Sequence, residues 1–459
     1  MPNYRFMKDA YYGAGGFADG GYLVKFDRET DNNYLKRRKM AYYINYFKDI
    51  VDSLVNPVFK KKPGRAYDGM GKEYIDSFLD NVDNTGTSIN NFMKNAALKS
   101  KLLGAVFICV DNFPMIPGDM QTAIENRLFP YAYMIEPEFV TDYSVDNFGR
   151  LTALTYEESV QAGEHTTITR RVIFNDKTIT TTINGQTVTQ TEHGLGRIPV
   201  IYFPAVSFSG RQTLKPIPPL EAAAGVAKAI YNFQSFSGEI LRKQTFPILV
   251  MPSTDRQSLD LGVSNALAYD PNATGGARPD FIAPPSSPAD VLMNERHFLV
   301  SELYRMNGLS FVMESSAQAS GVSRQWEFER TNQTLASFAD QCRQAEMALL
   351  NLFQKWLHID CSYNVQYADD FGIVDVASEI AEAQALSDLN LAPGLRIEIL
   401  KKLLAVYLPD LAPDRYDEII GEAEEAERNL AAAQAAQLES VMNGNGEGQG
   451  EGNSEGGEE

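Results

Sequence analysis

The sequence predicts an α+β fold. Three observations carry that expectation: a Thr-, Val- and Ile-rich stretch of alternating polarity from Leu151 to Val188, two proline-bounded helical segments that bracket a short strand-and-turn module, and a regular apolar stripe from Ser323 to Leu357. The 459 residues, 44% of them hydrophobic, supply apolar surface for two or three cores. No run reaches the roughly 18 consecutive apolar residues of a membrane span, and the longest, Leu102 to Val110, is strand-sized. Met1 to Ala10 carries Arg5 and Lys8 with no apolar stretch behind them, so neither a secretory signal nor a membrane partner is expected. Cys109, Cys342 and Cys361 lie far apart in sequence and are expected as reduced core thiols of a protein made and kept in the cytoplasm.

Charge narrows the function class. The formal net charge is −19, which argues against a surface that grips nucleic-acid phosphates, because such binding rests on Lys and Arg displacing counterions. A conduit through which DNA slides remains compatible with an acidic lining. Part of the excess sits in the tail from Asn443 to Glu459, built of Gly, Glu, Asn, Gln and Ser without a Lys or Arg, a composition that predicts disorder.

The elements follow in order. Gly13, Gly15, Gly16, Gly20 and Gly21 fall where no strand precedes them, so the stretch to residue 25 reads as a flexible Gly-rich arm in preference to a phosphate loop. Asp31 is placed to cap a helix running to about Val55, with Leu35, Tyr42, Ile44, Phe47, Val51 and Leu54 on its apolar side. The basic clusters Lys36 to Lys39 and Lys60 to Lys62 flank it, as solvated ends or as contacts to a partner or to DNA. A helix from about Ser88 to Leu103 leads into an apolar strand, Gly104 to Val110. Within the β-rich stretch, Asn184-Gly185 between Thr180 to Ile183 and Gln186 to Gln190 is a hairpin signal, and Pro199 to Phe203 is a further strand.

The centre has a distinctive layout. Pro216, Pro218 and Pro219 precede an Ala-rich helix from Leu220 to about Gln244, which Phe246-Pro247 stops. Ala222, Ala223, Ala224, Gly225, Ala227 and Ala229 let this helix approach a neighbouring helix closely, a copy of itself included. Phe246 to Pro285 reads as a small strand-and-turn module. The second helix has Ser287 as N-cap, Pro288 in its first turn and Asp290 complementing the helix dipole, and ends near Asn307-Gly308. A loop, GLSFVMESSAQASG, then leads into the long helix, whose stripe of Phe328, Leu335, Phe338, Cys342, Ala345, Leu349, Phe353 and Trp356 marks a core face. Three helical segments are expected from Val376 to about Met442, broken at Pro393-Gly394 and at Pro409 and Pro413.

Catalytic signatures are missing. His165, His193, His297 and His358 stand in no nucleophile-activating motif, and neither a GxSxG elbow nor a GxxxxGK[ST] loop occurs. His358 and Cys361 are three apart without the further ligands of a structural zinc site. The pairs Asp369-Asp370 and Glu424-Glu425 read as solvated. No cofactor and no metal are expected, and an enzyme is the less favoured class.

Five segments, FDRETDNNYLKRRKMAYYINYFKDIVDSLVNPVFKKKP, AALKSKLLGAVFICVDNFP, HGLGRIPVIYFPA, LKPIPPLEAAAGVAKAIYNFQSFSGEILRKQTFPILV and SGVSRQWEFERTNQTLASFADQCRQAEMALLNLF, resemble tailed-bacteriophage portal proteins, the head-to-tail connectors, and in particular a group long known only as a domain of unknown function. The likeness runs from about Phe26 to Phe353 and lies in the order of these segments, since none is a short diagnostic motif. It implies a portal-like protomer: an α/β wing (26–218), two stem helices (219–245 and 287–307) around a clip (246–286), a tunnel loop (308–320), a long wing helix with a return strand (321–375) and a helical crown (376–442). Residues 1–25 and 443–459 have no counterpart in the family pattern.

The resemblance also implies a role. Portal subunits form rings, typically dodecameric, at one capsid vertex of the virion after assembly in the host cytoplasm. Their partners would be further copies of the chain, double-stranded DNA in transit, the terminase large subunit, the major capsid and scaffolding proteins and the head-tail adaptor. Ser310, Phe311, Glu314, Ser315, Ser316, Gln318 and Ser320 would line the channel, and Asp255, Arg256, Asn272, Arg278 and Asp280 would meet partners at the clip. The stem helices are expected to expose Leu241, Leu292, Leu299 and Leu303 until ring closure buries them. The competing readings are a Mg²⁺-dependent DNA-processing enzyme using Asp369 and Asp370, and a scaffold or adaptor unrelated to phage.

Overall fold

The structure, a computed structural model, describes residues 2–113, 119–161, 167–206, 214–245, 248–252, 259–261, 264–269, 280–282, 287–309, 321–371, 393–407, 415–426 and 428–429. The fold is α+β, and the chain divides into two compact units, Met1–Phe371 and Gly372–Glu459.

The first unit is organised around strand β2 (Ala105–Asp111). Its run of apolar residues is buried on both faces, which is why it shows no alternation. It pairs antiparallel with β3 (Tyr131–Ile135) on one side and β9 (Val200–Pro204) on the other. Val106, Ile108 and Val110 join a core with α5 (Ile89–Leu103) and the long helix α9 (Gly321–Leu357). Phe107 and Cys109 point the opposite way, into a core with Leu154, Tyr156, Val172 and Phe174 of a second sheet. That sheet is a five-stranded antiparallel meander of β4 (Val140–Val145), β5 (Leu151–Gln161), β6 (Thr167–Phe174), β7 (Thr178–Ile183) and β8 (Gln186–Glu192). Asn184 and Gly185 join β7 to β8 with φ of 50° and 84°, the pair of positive angles that a two-residue hairpin of this hand requires.

Of the expected stripe on α9, Leu335, Phe338, Cys342, Ala345, Leu349 and Phe353 are buried, with Trp356 packed at the margin; the Phe328 side chain lies outside the described residues. Phe353 stacks on Phe78 of α4 (Lys72–Asp80), ring centroids 4.1 Å apart. Behind α9, β14 (Cys361–Gln366) returns to pair antiparallel with β1 (Gly64–Gly69).

Helices α7 (Glu221–Thr245) and α8 (Ser287–Met306) are antiparallel neighbours. Between them lies a four-stranded sheet in the order β11 (Leu259–Leu261), β12 (Ser264–Tyr269), β10 (Ile248–Pro252), β13 (Asp280–Ile282). In the second unit the described residues are helical over α10 (Pro393–Tyr407) and 415–426. Pro393 opens α10, a position that needs no backbone donor.

Three expectations are corrected. The first 25 residues are not a flexible arm: α1 (Tyr4–Tyr12) is capped by Asn3, whose side chain accepts from Phe6 N at 3.0 Å, and Met7, Ala10, Phe17 and Leu23 are buried with α3 (Tyr46–Val55), α7 and α8. The glycines punctuate this packed segment, Gly13 ending α1 at φ 64° and Gly20 meeting the Arg38 side chain at φ 78°. Second, the helix from Asp31 to Val55 is two helices, α2 (Asp31–Met40) and α3 (Tyr46–Val55). Ala41 turns extended, and Asn45 caps α3 by accepting from Lys48 N at 2.9 Å, so Leu35 and Tyr42 fall outside the core that holds Phe47, Val51 and Leu54. Thr30, one residue before Asp31, is the cap of α2. Third, Leu303 is fully buried and Leu299 packs against the same core, because this end of α8 lies on α1, α3 and α7; Leu241 stays 46% exposed.

Candidate functional site

The α7–sheet–α8 hairpin changes character along its length. At its inner end, Ala223, Ala224, Ala227, Ile230 and Tyr231 of α7 meet Val300, Leu303 and Tyr304 of α8 in one buried cluster. Small residues there admit helices of the same chain, while Ala222 and Gly225 face outward. Tyr304 Oη donates to Asp49 Oδ2 at 2.6 Å and Tyr11 Oη to Asp52 Oδ1 at 2.7 Å, so α3 anchors α8 and α1. Burial and these carboxylates raise both phenol pKa values, so both stay protonated donors.

Midway along α7 lies an arginine that the basic cluster of α2 conceals in sequence. Arg37 is 2% exposed; Nε and Nη2 donate to Glu29 at 2.9 and 2.7 Å, Nη2 also to Val24 O at 2.7 Å, and Nη1 to Ser235 Oγ at 3.2 Å. Phe26, Tyr34 and Phe236 surround the guanidinium at 4.9, 5.4 and 5.6 Å. The Arg37 hydrogen bond holds the Glu29 carboxyl below its ordinary pKa. Of the cluster read as solvated or partner-facing, Arg37 is therefore a buried clamp between α2 and α7, while Lys36 and Lys39 are exposed.

Toward its outer end the hairpin loses cover. Leu241 is exposed on α7, Val291 and Phe298 on α8 are 64% and 58% exposed, and Phe281 on β13 is 62% exposed. Of the expected clip residues, Asp280 opens β13 as an exposed side chain that accepts from Phe281 N at 2.8 Å. Asp255, Arg256, Asn272 and Arg278 lie outside the described residues, as do the expected channel residues Ser310, Phe311, Glu314, Ser315, Ser316, Gln318 and Ser320.

The anchors of the 310–320 segment are described. Leu309 is buried and its N–H donates to Tyr304 O at 2.9 Å. Gly308, at φ 74°, ends α8, and its carbonyl accepts from Thr331 Oγ1 of α9.

Helix α9 holds a polar group within its apolar stripe. Glu346 is fully buried and accepts from Arg65 Nε and Nη2 at 2.7 and 3.1 Å, and from Tyr363 and Tyr367 Oη at 2.6 Å each. Arg65 also donates to Asn90 Oδ1 at 2.8 Å. Every strong donor around the carboxylate is satisfied, so the cluster locks β1 and β14 to α9 and offers no open position to a ligand. Nearby, Lys101 is 8% exposed, its ammonium 4.0 Å from the Phe338 ring centroid and donating to Ala205 O at 3.3 Å. Burial lowers its pKa to about 8. No spacing rule marks Glu346, Arg65 or Lys101 in the sequence, because their partners are distant along the chain.

Asp370, one of the two acids of the enzyme reading, accepts from Asn332 Nδ2 at 3.1 Å. Among the described residues, no three His, Cys, Asp or Glu side chains converge to hold a metal ion, and no helix is long and apolar enough to cross a membrane.

No family model and no curated protein matches the chain. Among solved structures, a chain of the virion of the native gene transfer agent particle aligns at TM-score 0.39 and 10% identity, covering 86% of this chain and 99% of that one. A chain of the neck of the empty gene transfer agent particle, computed with C6 symmetry, aligns at TM-score 0.39 and 10% identity, covering 81% and 89%. Neither likeness is close enough to carry a functional reading.

Proposed function

We propose that this chain is a portal subunit, a ring-forming component of a virion vertex through which double-stranded DNA passes during packaging, retention and ejection. The observation that carries the reading is the hairpin: two antiparallel helices that begin in a packed core, lose their cover outward, and bracket a small four-stranded sheet before the chain enters a 37-residue core helix. A monomer leaves Leu241, Val291, Phe298 and Phe281 in water, and a closed ring of copies covers such side chains without creating an open-ended filament. The resemblance of the five sequence segments supports the same reading.

In this reading the chain works without bond chemistry. The sheet between α7 and α8 docks the terminase large subunit and later the head-tail adaptor, the second unit faces the capsid interior with the major capsid and scaffolding proteins, and the 310–320 segment meets DNA. A net charge of −19 keeps DNA from adhering to the passage. Negative-stain microscopy with native mass determination tests it: rings of about twelve copies with a central hole are expected, and a monodisperse monomer across salt conditions would refute it.

A further inference from the structure

The hairpin carries two surfaces that fit each other in different copies. One is a groove of about 120 Å³ between α2 and α7, lined by Arg37, Met40, Tyr42, Ser235, Gly238 and Arg242 among others. Gly238 offers no side chain there, and the apolar rim is formed by Met40 and Tyr42, 50% and 59% exposed. The other is a ridge on α8, where Val291 and Phe298 project seven residues apart on the face turned away from Ala289, Val300 and Leu303. A single chain cannot bring its own ridge to its own groove, since α8 turns that face away from α7.

Charge and height both match. Lys36 and Lys39 on the exposed side of α2 have no ion-pair partner among the described residues, nor has Glu295 beside Phe298 on the ridge. A hydrogen bond from Arg296 of α8 to Gln234 of α7 fixes the register of the antiparallel pair. Counting from that bond at about 1.5 Å per residue, Phe298 lies about 3 Å to the inner side of the level of Gln234 and Val291 about 7.5 Å to the outer side, alongside Gly238 and Glu239. Groove and ridge therefore stand at about the same height along the helix pair, as a closing heterologous contact requires when the pair runs along the ring axis.

We infer that Val291 and Phe298 of one copy seat in the Met40–Tyr42–Gly238 groove of the next, with Glu295 meeting Lys36 and Lys39, and that this contact closes the ring. The inference rests on the ring reading above and assigns its interface. The test uses the full chain carrying Met40→Cys and Phe298→Cys with a short bis-maleimide; the native Cys109, Cys342 and Cys361 are buried. A ladder of covalent multimers is expected on denaturing gels, absent when either cysteine is introduced alone. In parallel, Phe298→Asp is expected to weaken association between copies by about 100-fold with an unchanged monomer circular dichroism spectrum. Rings that form without a ladder, and that persist in Phe298→Asp, would overturn the interface and leave the ring reading standing. A monomeric wild-type chain would overturn both.

Discussion

Replacing Glu346 with Leu isolates what the buried cluster on α9 contributes. The substitution removes a fully buried carboxylate that accepts four hydrogen bonds and leaves the Arg65 guanidinium, 11% exposed, with Asn90 as its remaining partner. Breaking a buried pair from one side costs about 3–5 kcal/mol, because the stranded charge keeps its desolvation penalty. In a unit of this size that corresponds to a fall in melting temperature of about 5 °C. The fourfold variant Arg65→Met, Glu346→Leu, Tyr363→Phe and Tyr367→Phe strips the site of polar groups together and should recover most of the loss. Scanning calorimetry of the three proteins at one concentration decides it, concentration being held because association contributes to stability. A Glu346→Leu protein within about 1 kcal/mol of wild type, or a fourfold variant no better than the single one, would refute the reasoning.

Lys101→Met should stabilise the protein by about 2 kcal/mol at pH 7. Because the folded pKa lies below the unfolded one, the wild type regains this as pH rises from about 8 through the ordinary lysine range, so the gap between variants should close by about pH 10.5 in chemical denaturation. Glu29→Gln should lower stability at neutral pH; the contribution of a carboxylate with a depressed pKa is lost as pH falls through that pKa, so wild type and variant should converge in acid, read as urea midpoints. Replacing residues 310–320 by a Gly/Ser linker of equal length should spare ring assembly and impair DNA packaging or retention, since the Leu309–Tyr304 bond and the Gly308–Thr331 tie are untouched; packaging at wild-type efficiency in this variant would remove the channel assignment.

Sequence patterns gave the elements whose signals are local. The Asn184-Gly185 turn needs only its own backbone angles, and the α9 stripe needs only helical periodicity. Where a distant partner decides, local reasoning failed. The glycines of the first 25 residues suggested flexibility, although Tyr4, Met7 and Ala10 already carry a helical spacing that α3 and α7 bury. Asn45, read as one residue inside a helix, is a cap that starts a new one. Arg37 looked like its neighbours Lys36 and Arg38 until Glu29 and Ser235, from 8 and 198 residues away, enclosed it. Part of the proposed interface could have been suspected from sequence, since Val291 and Phe298 lie off the face that carries Ala289, Val300 and Leu303.

The Gly308–Thr331 tie gives the hairpin a mechanical reading. The four-stranded sheet is entered by α7 and left by α8, so a load applied there travels along two struts. One strut is braced at Arg37 and Ser235; the other ends against Asp49 and passes directly to the carbonyl that Thr331 grips. A shift of α8 by a single residue's rise, about 1.5 Å, would pull on the Gly308 carbonyl and its tie to Thr331. In the portal reading, a partner that docked at the sheet would load the Gly308–Thr331 tie through α8.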